Sequence, residues 1–274
     1  MGRVGIVTGA ASGIGRALAT ALVERGDTVV LVDVNADGAK QVAAGLGSRA
    51  SAVGLDVRDA DAVTQLVDDV VGEHGRLDLM FNNAGIGVGG REVDELTAAH
   101  WRRIVDVNLL GVVSGTVAAY RVMVARGSGH IVNTASVLGL MPAPLLTPYA
   151  MTKHAVVGLS LSLRAEGAAR GVRVSVVCPG VIETPLLDSE GPADLPLTAQ
   201  RYDVRTMLVH AAGKPYSAAA LAADVLRGVD RNRAVIATPA RARIGWWLQR
   251  LAPTLVEKQN IRLTAWNRAH ARKP

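Results

Sequence analysis

Thr8-Gly9-Ala10-Ala11-Ser12-Gly13-Ile14-Gly15 decides the fold. The stretch lies between a short β-type run at 3–8 and a segment at 13–25 in which Ile14, Leu18, Ala21, Leu22 and Arg25 recur at helical spacing. Glycines belong at such a junction because the chain must turn sharply and bring its backbone close to a pyrophosphate. The helix that follows offers that anion free N–H groups and the positive end of its dipole. The spacing is G-x-x-x-G-x-G, not the G-x-G-x-x-G of the dinucleotide fingerprint. Its place after a strand and before a helix carries the reading.

Outward from this loop, strand and helix alternate. Thr28–Asp33 is a β-branched run of the kind parallel sheets bury on both faces. Helices are expected near 36–46, 59–73, 98–125, 149–170 and 217–230, and strands at 50–55, 77–82, 129–135, 172–178 and 234–237. That order implies βαβ units with right-handed crossovers. The fold expected is α/β, a Rossmann-type doubly wound parallel sheet with helices on both faces. It forms a single domain over 1–239, followed by a C-terminal helical extension over 240–274. Residues 184–216, with four prolines and no strand signal, read as a substrate loop.

Composition narrows the class. The 274 residues are 49% hydrophobic and 20% charged, enough apolar material for a large core and too little charge for a disordered chain. One cysteine, Cys178, excludes an internal disulfide framework and suits a reducing compartment. No run of about 18 uninterrupted apolar residues occurs, and the N-terminal segment does not read as a signal peptide. The expected location is cytoplasmic. The six histidines show no metal-ligand spacing, so no metal is expected. Of the net charge of +6, the last 34 residues carry eight Lys/Arg against one acid, Glu257. The body is nearly neutral and gives no reason to expect a nucleic-acid partner.

Three positions suggest chemistry. Asp33 ends the second strand 18 residues past Gly15, where a carboxylate accepts the hydroxyls of an adenosine ribose and repels a 2′-phosphate. NAD is therefore expected over NADP, since Val34, Asn35 and Ser12 supply no cation and Arg16 faces away. Tyr149 and Lys153, four apart, share a helix face. An ammonium beside a phenol favours the phenolate, which makes the tyrosine usable as an acid or base. A Tyr-x-x-x-Lys pair alone is commonly a surface accident. Ser136, at the carboxyl end of the preceding strand, is what gives it weight.

Taken together, these pieces resemble the short-chain dehydrogenase/reductase family in its compact single-domain branch. The loop Thr8–Gly15, Asp56-Val57, Asn82-Asn83-Ala84-Gly85, Asn108, Ser136, Tyr149 to Lys153 and Pro179 to Pro185 occur in the family's order between residues 3 and about 238. The resemblance implies that Tyr149 is the catalytic acid/base and that Ser136 binds the substrate oxygen. Lys153 would tune Tyr149 and hold the nicotinamide ribose, and Asn108 would hold a water that links Lys153 to solvent. Cofactor-binding positions would be Gly9, Ser12, Gly13, Ile14, Gly15, Asp33, Asp56, Val57, Asn83, Ala84, Gly85, Pro179, Gly180, Ile182 and Thr184, with Tyr149 and Lys153. Cys178 reads as a small core residue.

Apolar segments at 137–142, 186–187 and 207–209 favour a lipophilic secondary alcohol or its ketone as substrate. A 3-oxoacyl thioester reductase is the alternative enzyme, and a non-catalytic NAD-binding regulatory protein the alternative of another class. The helices at 98–125 and 149–170 look too apolar for surface helices, which together with the resemblance implies a homo-oligomer, dimer or tetramer. In the tail, Ile244, Trp247, Leu248, Leu251 and Leu255 form one stripe, with Pro253 expected to kink or end the first segment. The tail would be a lid packed on its own body or on a neighbouring subunit, a peripheral contact with an anionic membrane, or a loose solubilising arm.

Overall fold

The structure, a computed structural model, describes residues 2–196 and 198–270. The first half of the chain runs β1 (Val4–Thr8), α1 (Gly13–Glu24), β2 (Thr28–Asp33), α2 (Ala36–Leu46), β3 (Ala50–Gly54), α3 (Ala60–His74) and β4 (Leu79–Asn82). It continues with α4 (Ala98–Val105), α5 (Gly111–Arg126), β5 (Gly129–Thr134), α6 (Thr147–Ala168), β6 (Val172–Pro179) and β7 (Ile182–Glu183). The last part is α7 (Val204–Ala212), β8 (Tyr216–Ser217), α8 (Ala218–Asp230), β9 (Val235–Thr238), α9 (Ala240–Leu251) and α10 (Pro253–Ala269).

Seven strands form one parallel sheet in the order β3-β2-β1-β4-β5-β6-β9. The apolar runs are continuous because both faces are covered. In β1 and β2, Val7, Val29 and Leu31 point into a core shared with Leu18, Leu22, Leu221 and Val225 of α1 and α8. Their neighbours Ile6, Val30 and Val32 point the other way, against Val63, Val67 and Met123 of α3 and α5. Strand order reverses between β1 and β4, and at such a switch point the carboxyl ends open a crevice for ligands. The glycine loop leaves β1 there, and Asn83–Gly85 leaves β4.

Three features depart from the expected pattern. The helix over 98–126 is interrupted by a π-helical turn, Asp106–Leu110, between α4 and α5. By length and composition Ala98–Arg126 could cross a membrane, but α5 packs on α3, β4 and β5 as a core helix. The loop at 184–216 contains α7, which Asp203 caps by accepting from the Thr206 N–H at 2.8 Å. Its end joins β8, which pairs with β7 in a small parallel ribbon. Much of the apolar character of α5 and α6 is buried within this chain, as at Val112, Ala119 and Val156. The large apolar side chains left exposed here are Leu110 in the π-helical turn, Val117 on α5, and Met151 and Leu161 on α6. The tail is two helices, α9 and α10, divided at Ala252-Pro253.

Candidate active site

Gly9 and Gly13 adopt positive φ (68° and 52°) in the loop after β1. A Cβ on Gly9 would lie 2.9 Å from Ala84 Cα, and one on Gly15 would lie 2.0 Å from the Gly9 carbonyl oxygen. Only glycine allows this approach of backbones. Thr8 Oγ1 accepts from the N–H groups of Asn83 (2.9 Å) and Ala84 (3.0 Å), while Asn83 Nδ2 donates to the Thr8 carbonyl at 3.0 Å. The two loops at the switch point are thereby locked together.

These loops form one end of a cavity of about 980 Å³. Every predicted cofactor or catalytic residue lines it except two, Gly15 and Asn108. Gly15 packs behind the loop. Asn108 stands behind Gly85, fully buried, with Oδ1 accepting from the Ile86 N–H (2.8 Å) and Nδ2 donating to the Ile86 carbonyl (2.9 Å). A Cβ on Gly85 would come within 3.3 Å of Asn108 Oδ1 and 3.5 Å of Lys153 Nζ, so the three are in close register.

The cavity fits a dinucleotide. The N-terminus of α1 faces it through Gly13 and Ile14, supplying unpaired N–H groups for a pyrophosphate. Asp33 lies at the outer end, oriented by the N–H groups of Ala11 and Asn35, each at 2.9 Å. Arg16 does not line the cavity. Arg58 and Arg103, which the sequence reading did not consider, do line it, but each is paired with a carboxylate, Asp56 and Asp194 respectively. The Arg58 guanidinium hydrogen-bonded to Asp56 holds that carboxyl below its ordinary range. Thr184 lies beside the glycine loop, its Cγ2 3.2 Å from where a Gly13 Cβ would stand.

Deeper in, Ser136, Tyr149 and Lys153 line the wall together. Ser136 follows β5 in extended conformation, and its Oγ accepts from the Leu138 N–H at 3.1 Å. Tyr149 and Lys153 are on the first turns of α6, with Lys153 Nζ 5.5 Å from the tyrosine ring centre and donating to the Thr134 carbonyl at 3.0 Å. The sequence argument has the ammonium lowering the phenol's pKa. In the folded site the shift runs the other way: burial pushes Tyr149 up to about 12 against the opposing effect of a hydrogen bond with Ser136. The same burial brings Lys153 down to about 8. Burial also pushes the Cys178 thiol up to about 12, in keeping with an inert core residue.

Beneath the site runs a polar network that sequence reasoning did not identify. Asn82 Nδ2 donates to Asn133 Oδ1 (2.9 Å) and Thr116 Oγ1 (3.1 Å), and Asn133 Nδ2 donates to Ser160 Oγ (3.1 Å). It ties β4, β5, α5 and α6 under the catalytic wall. The far half of the cavity is apolar, walled by residues such as Leu138, Leu146, Leu187 and Met207. The tail closes it, with Val256 and Leu263 and a polar group formed by Arg241, Gln259, Asn260, Thr264 and Asn267. Arg241 makes no ion pair among the described residues, and its Nε is buried without a partner. Only a tail folded back over the mouth exposes this wall, so no local signal could have disclosed it.

Sheet order, glycine loop and the Ser136/Tyr149/Lys153 cluster define a dinucleotide-binding oxidoreductase. The chain belongs to the short-chain dehydrogenase family, whose model matches residues 3–194. It is 44% identical over 199 residues to cis-4-hydroxycyclohexanecarboxylate dehydrogenase of Sinomonas cyclohexanicum, covering 72% of this chain and 79% of that one. Cyclohexanol dehydrogenase of Acinetobacter sp. (strain SE19) is 37% identical over 188 residues, 68% of this chain and 75% of the relative. A crystal structure of a short-chain dehydrogenase/reductase from Burkholderia phymatum in complex with NAD superposes with a TM-score of 0.84 at 30% identity, covering 93% of this chain and 95% of the other.

Proposed function

We propose that the chain interconverts a lipophilic secondary alcohol and its ketone, with Tyr149 as the proton carrier. It is an oxidoreductase acting on CH–OH groups, and its cofactor is NAD. The carrying observation is the meeting of Ser136, Tyr149 and Lys153 at the inner end of a cavity whose far half is apolar. The relatives named for cyclohexanol and a hydroxycyclohexanecarboxylate act on secondary ring alcohols, one of them bearing a carboxylate, which supports the secondary-alcohol part of the reading.

When bound, NAD supplies the hydride acceptor for oxidation, or in reduced form the donor for reduction. The protein supplies the rest. The Ser136 hydroxyl orients the substrate oxygen, and the Tyr149 phenol gives it a proton in reduction or takes one in oxidation. Lys153, held by the Thr134 carbonyl, carries charge to the tyrosine and to the cofactor ribose. Asn108 fixes the Gly85-Ile86 backbone beside Lys153, and the apolar wall keeps water from the reacting carbon.

We assign the exposed residues Leu110, Val117 and Leu161 to contact with a second copy, giving a dimer or tetramer that light scattering would size. Buried Cys178 suits a reducing, cytoplasmic setting. Initial rates with NAD across ring and open-chain secondary alcohols, together with a 3-oxoacyl thioester in the reverse direction, test the function. Oxidation of apolar ring alcohols is expected. Preferential reduction of the thioester would replace this reading.

A further inference from the structure

Six of the thirteen large apolar side chains exposed among the described residues belong to the tail helices. In α9 the two faces are sharply sorted. Ala242 is buried, and Trp246 packs against the core around Val157 and Cys178. On the opposite face Ile244, Trp247, Leu248 and Leu251, at i, i+3, i+4 and i+7, face outward, with Trp247 56% and Leu251 77% exposed. Adjacent tryptophans thus have opposite fates, one anchoring the helix and one facing solvent.

Cations border this stripe. Arg243 and Arg250 flank it on α9, and Leu255, Lys258 and Arg262 follow one another at i, i+3 and i+7 on α10, all exposed. None of these four cations pairs with a carboxylate among the described residues, and Glu257 is the one acid in the tail. Ile244 and Leu248 belong both to the outward stripe and to the lining of the substrate cavity, so the stripe reaches the cavity mouth.

We propose that α9 docks the enzyme on an anionic bilayer, with Trp247 and Leu251 entering the interface, the flanking cations meeting lipid phosphates, and substrate entering from the bilayer past Ile244 and Leu248. An aromatic and aliphatic face edged by Lys and Arg without carboxylate partners, one of them (Arg250) held over the Trp246 ring at 5.7 Å, is complementary to such a surface. A second copy fits less well. A two-fold contact sets the patch against itself, bringing together guanidinium groups of like charge that have no carboxylate to neutralise them. The route of entry rests on the lipophilic-substrate reading, whereas docking does not, because vesicle binding needs no turnover.

The test is co-sedimentation of the full chain with NAD, using vesicles of phosphatidylcholine containing about one-third phosphatidylglycerol and vesicles of phosphatidylcholine alone. Two variants are compared, Trp247→Glu/Leu251→Glu and Arg243→Gln/Arg250→Gln, which report separately on the apolar and the charged part. The parent is expected to bind the anionic vesicles and to release as salt rises. Each variant should bind about tenfold less or weaker, with NAD binding and oxidation of a small soluble alcohol unchanged. Absence of parent binding at low salt overturns the proposal, as does undiminished binding by both variants. A smaller particle mass for the variants in light scattering, with no parent binding to vesicles, would make the stripe a subunit contact instead. Retained vesicle binding by a chain that oxidises no lipophilic alcohol would overturn the substrate reading and leave docking intact.

Discussion

Arg268, near the end of α10, forms a two-pronged ion pair with Glu92, Nε to Oε1 at 2.8 Å and Nη2 to Oε2 at 3.0 Å, across 176 residues of sequence. The same carboxylate accepts from the Tyr202 hydroxyl at 2.7 Å. The loop after β4, the segment at 184–216 and the tail are thus fastened at one point. A second tie is the parallel stack of His210 on α7 against Trp266 on α10, ring centres 4.0 Å apart. Below them Arg91, almost fully buried, donates to the carbonyls of Val88 (2.5 Å) and Glu190 (3.2 Å) and to Thr198. It straps the two loops that border the cavity.

Arg268→Ala should therefore loosen the cover without unfolding the protein. A solvent-exposed pair of this kind contributes little to stability, because water screens it. The expected result is a KM for a lipophilic alcohol raised by about three- to tenfold, little change in kcat, and faster proteolysis within α10. Unchanged KM and proteolysis would show that the pair does not hold the cover.

Tyr149→Phe should abolish turnover and leave NAD binding nearly intact, because it removes the proposed proton carrier and little packing. In the parent enzyme, burial holds the phenol protonated up to about 12. Oxidation needs the deprotonated form, so its kcat should climb as pH rises from about 7 to 10. Ketone reduction uses the protonated form and should gain nothing over that range. Paired pH profiles for the two directions check the sign, and an oxidation optimum below neutrality would contradict it.

Cofactor choice turns on Asp33. A 2′-phosphate there meets a carboxylate already fixed by two backbone N–H groups, while Arg58 and Arg103 are occupied by other acids. NADP is expected to give a kcat/KM about 100-fold or more below that of NAD, and Asp33→Ala should narrow the gap. Equal values for the parent would mean that one of the arginines exchanges its carboxylate for the phosphate.

His130, buried in β5, should make the fold acid-sensitive. Its Nε2 is 2.8 Å from Ser175 Oγ, which itself donates to the Arg233 carbonyl at 2.6 Å. The serine oxygen therefore accepts, and the histidine proton is on Nε2. Burial brings the folded pKa down to about 3, so between pH 6.5 and 3 the unfolded chain binds the extra proton. Stability is present in full above the unfolded pKa and falls as pH drops below it, by about 2 kcal/mol at pH 5. Denaturant titrations at pH 7 and 5, on the parent and on His130→Gln, should show this slope in the parent and a shallower one in the variant.

What the chain alone determined was everything local. Apolar runs such as Thr28–Asp33 read as buried parallel strands because both faces of this sheet are covered. The glycines at 9, 13 and 15 disclosed a close backbone approach, because no other residue permits it. Helical spacing put Tyr149 and Lys153 side by side. The helix α7 was legible but missed, since Asp203 and Gly213 stand as its cap residues. The rest depended on surfaces brought together from distant parts of the chain. Periodicity located the stripe Ile244–Leu255 but could not say which face of α9 meets the body, and the folded chain turns that stripe outward. The polar wall that includes Arg241, Asn260, Thr264 and Asn267, the Arg268–Glu92 fastening and the burial of Tyr149 all belong to the same class. Each depends on how much water is excluded by residues far away in sequence, and only the tertiary fold decides that.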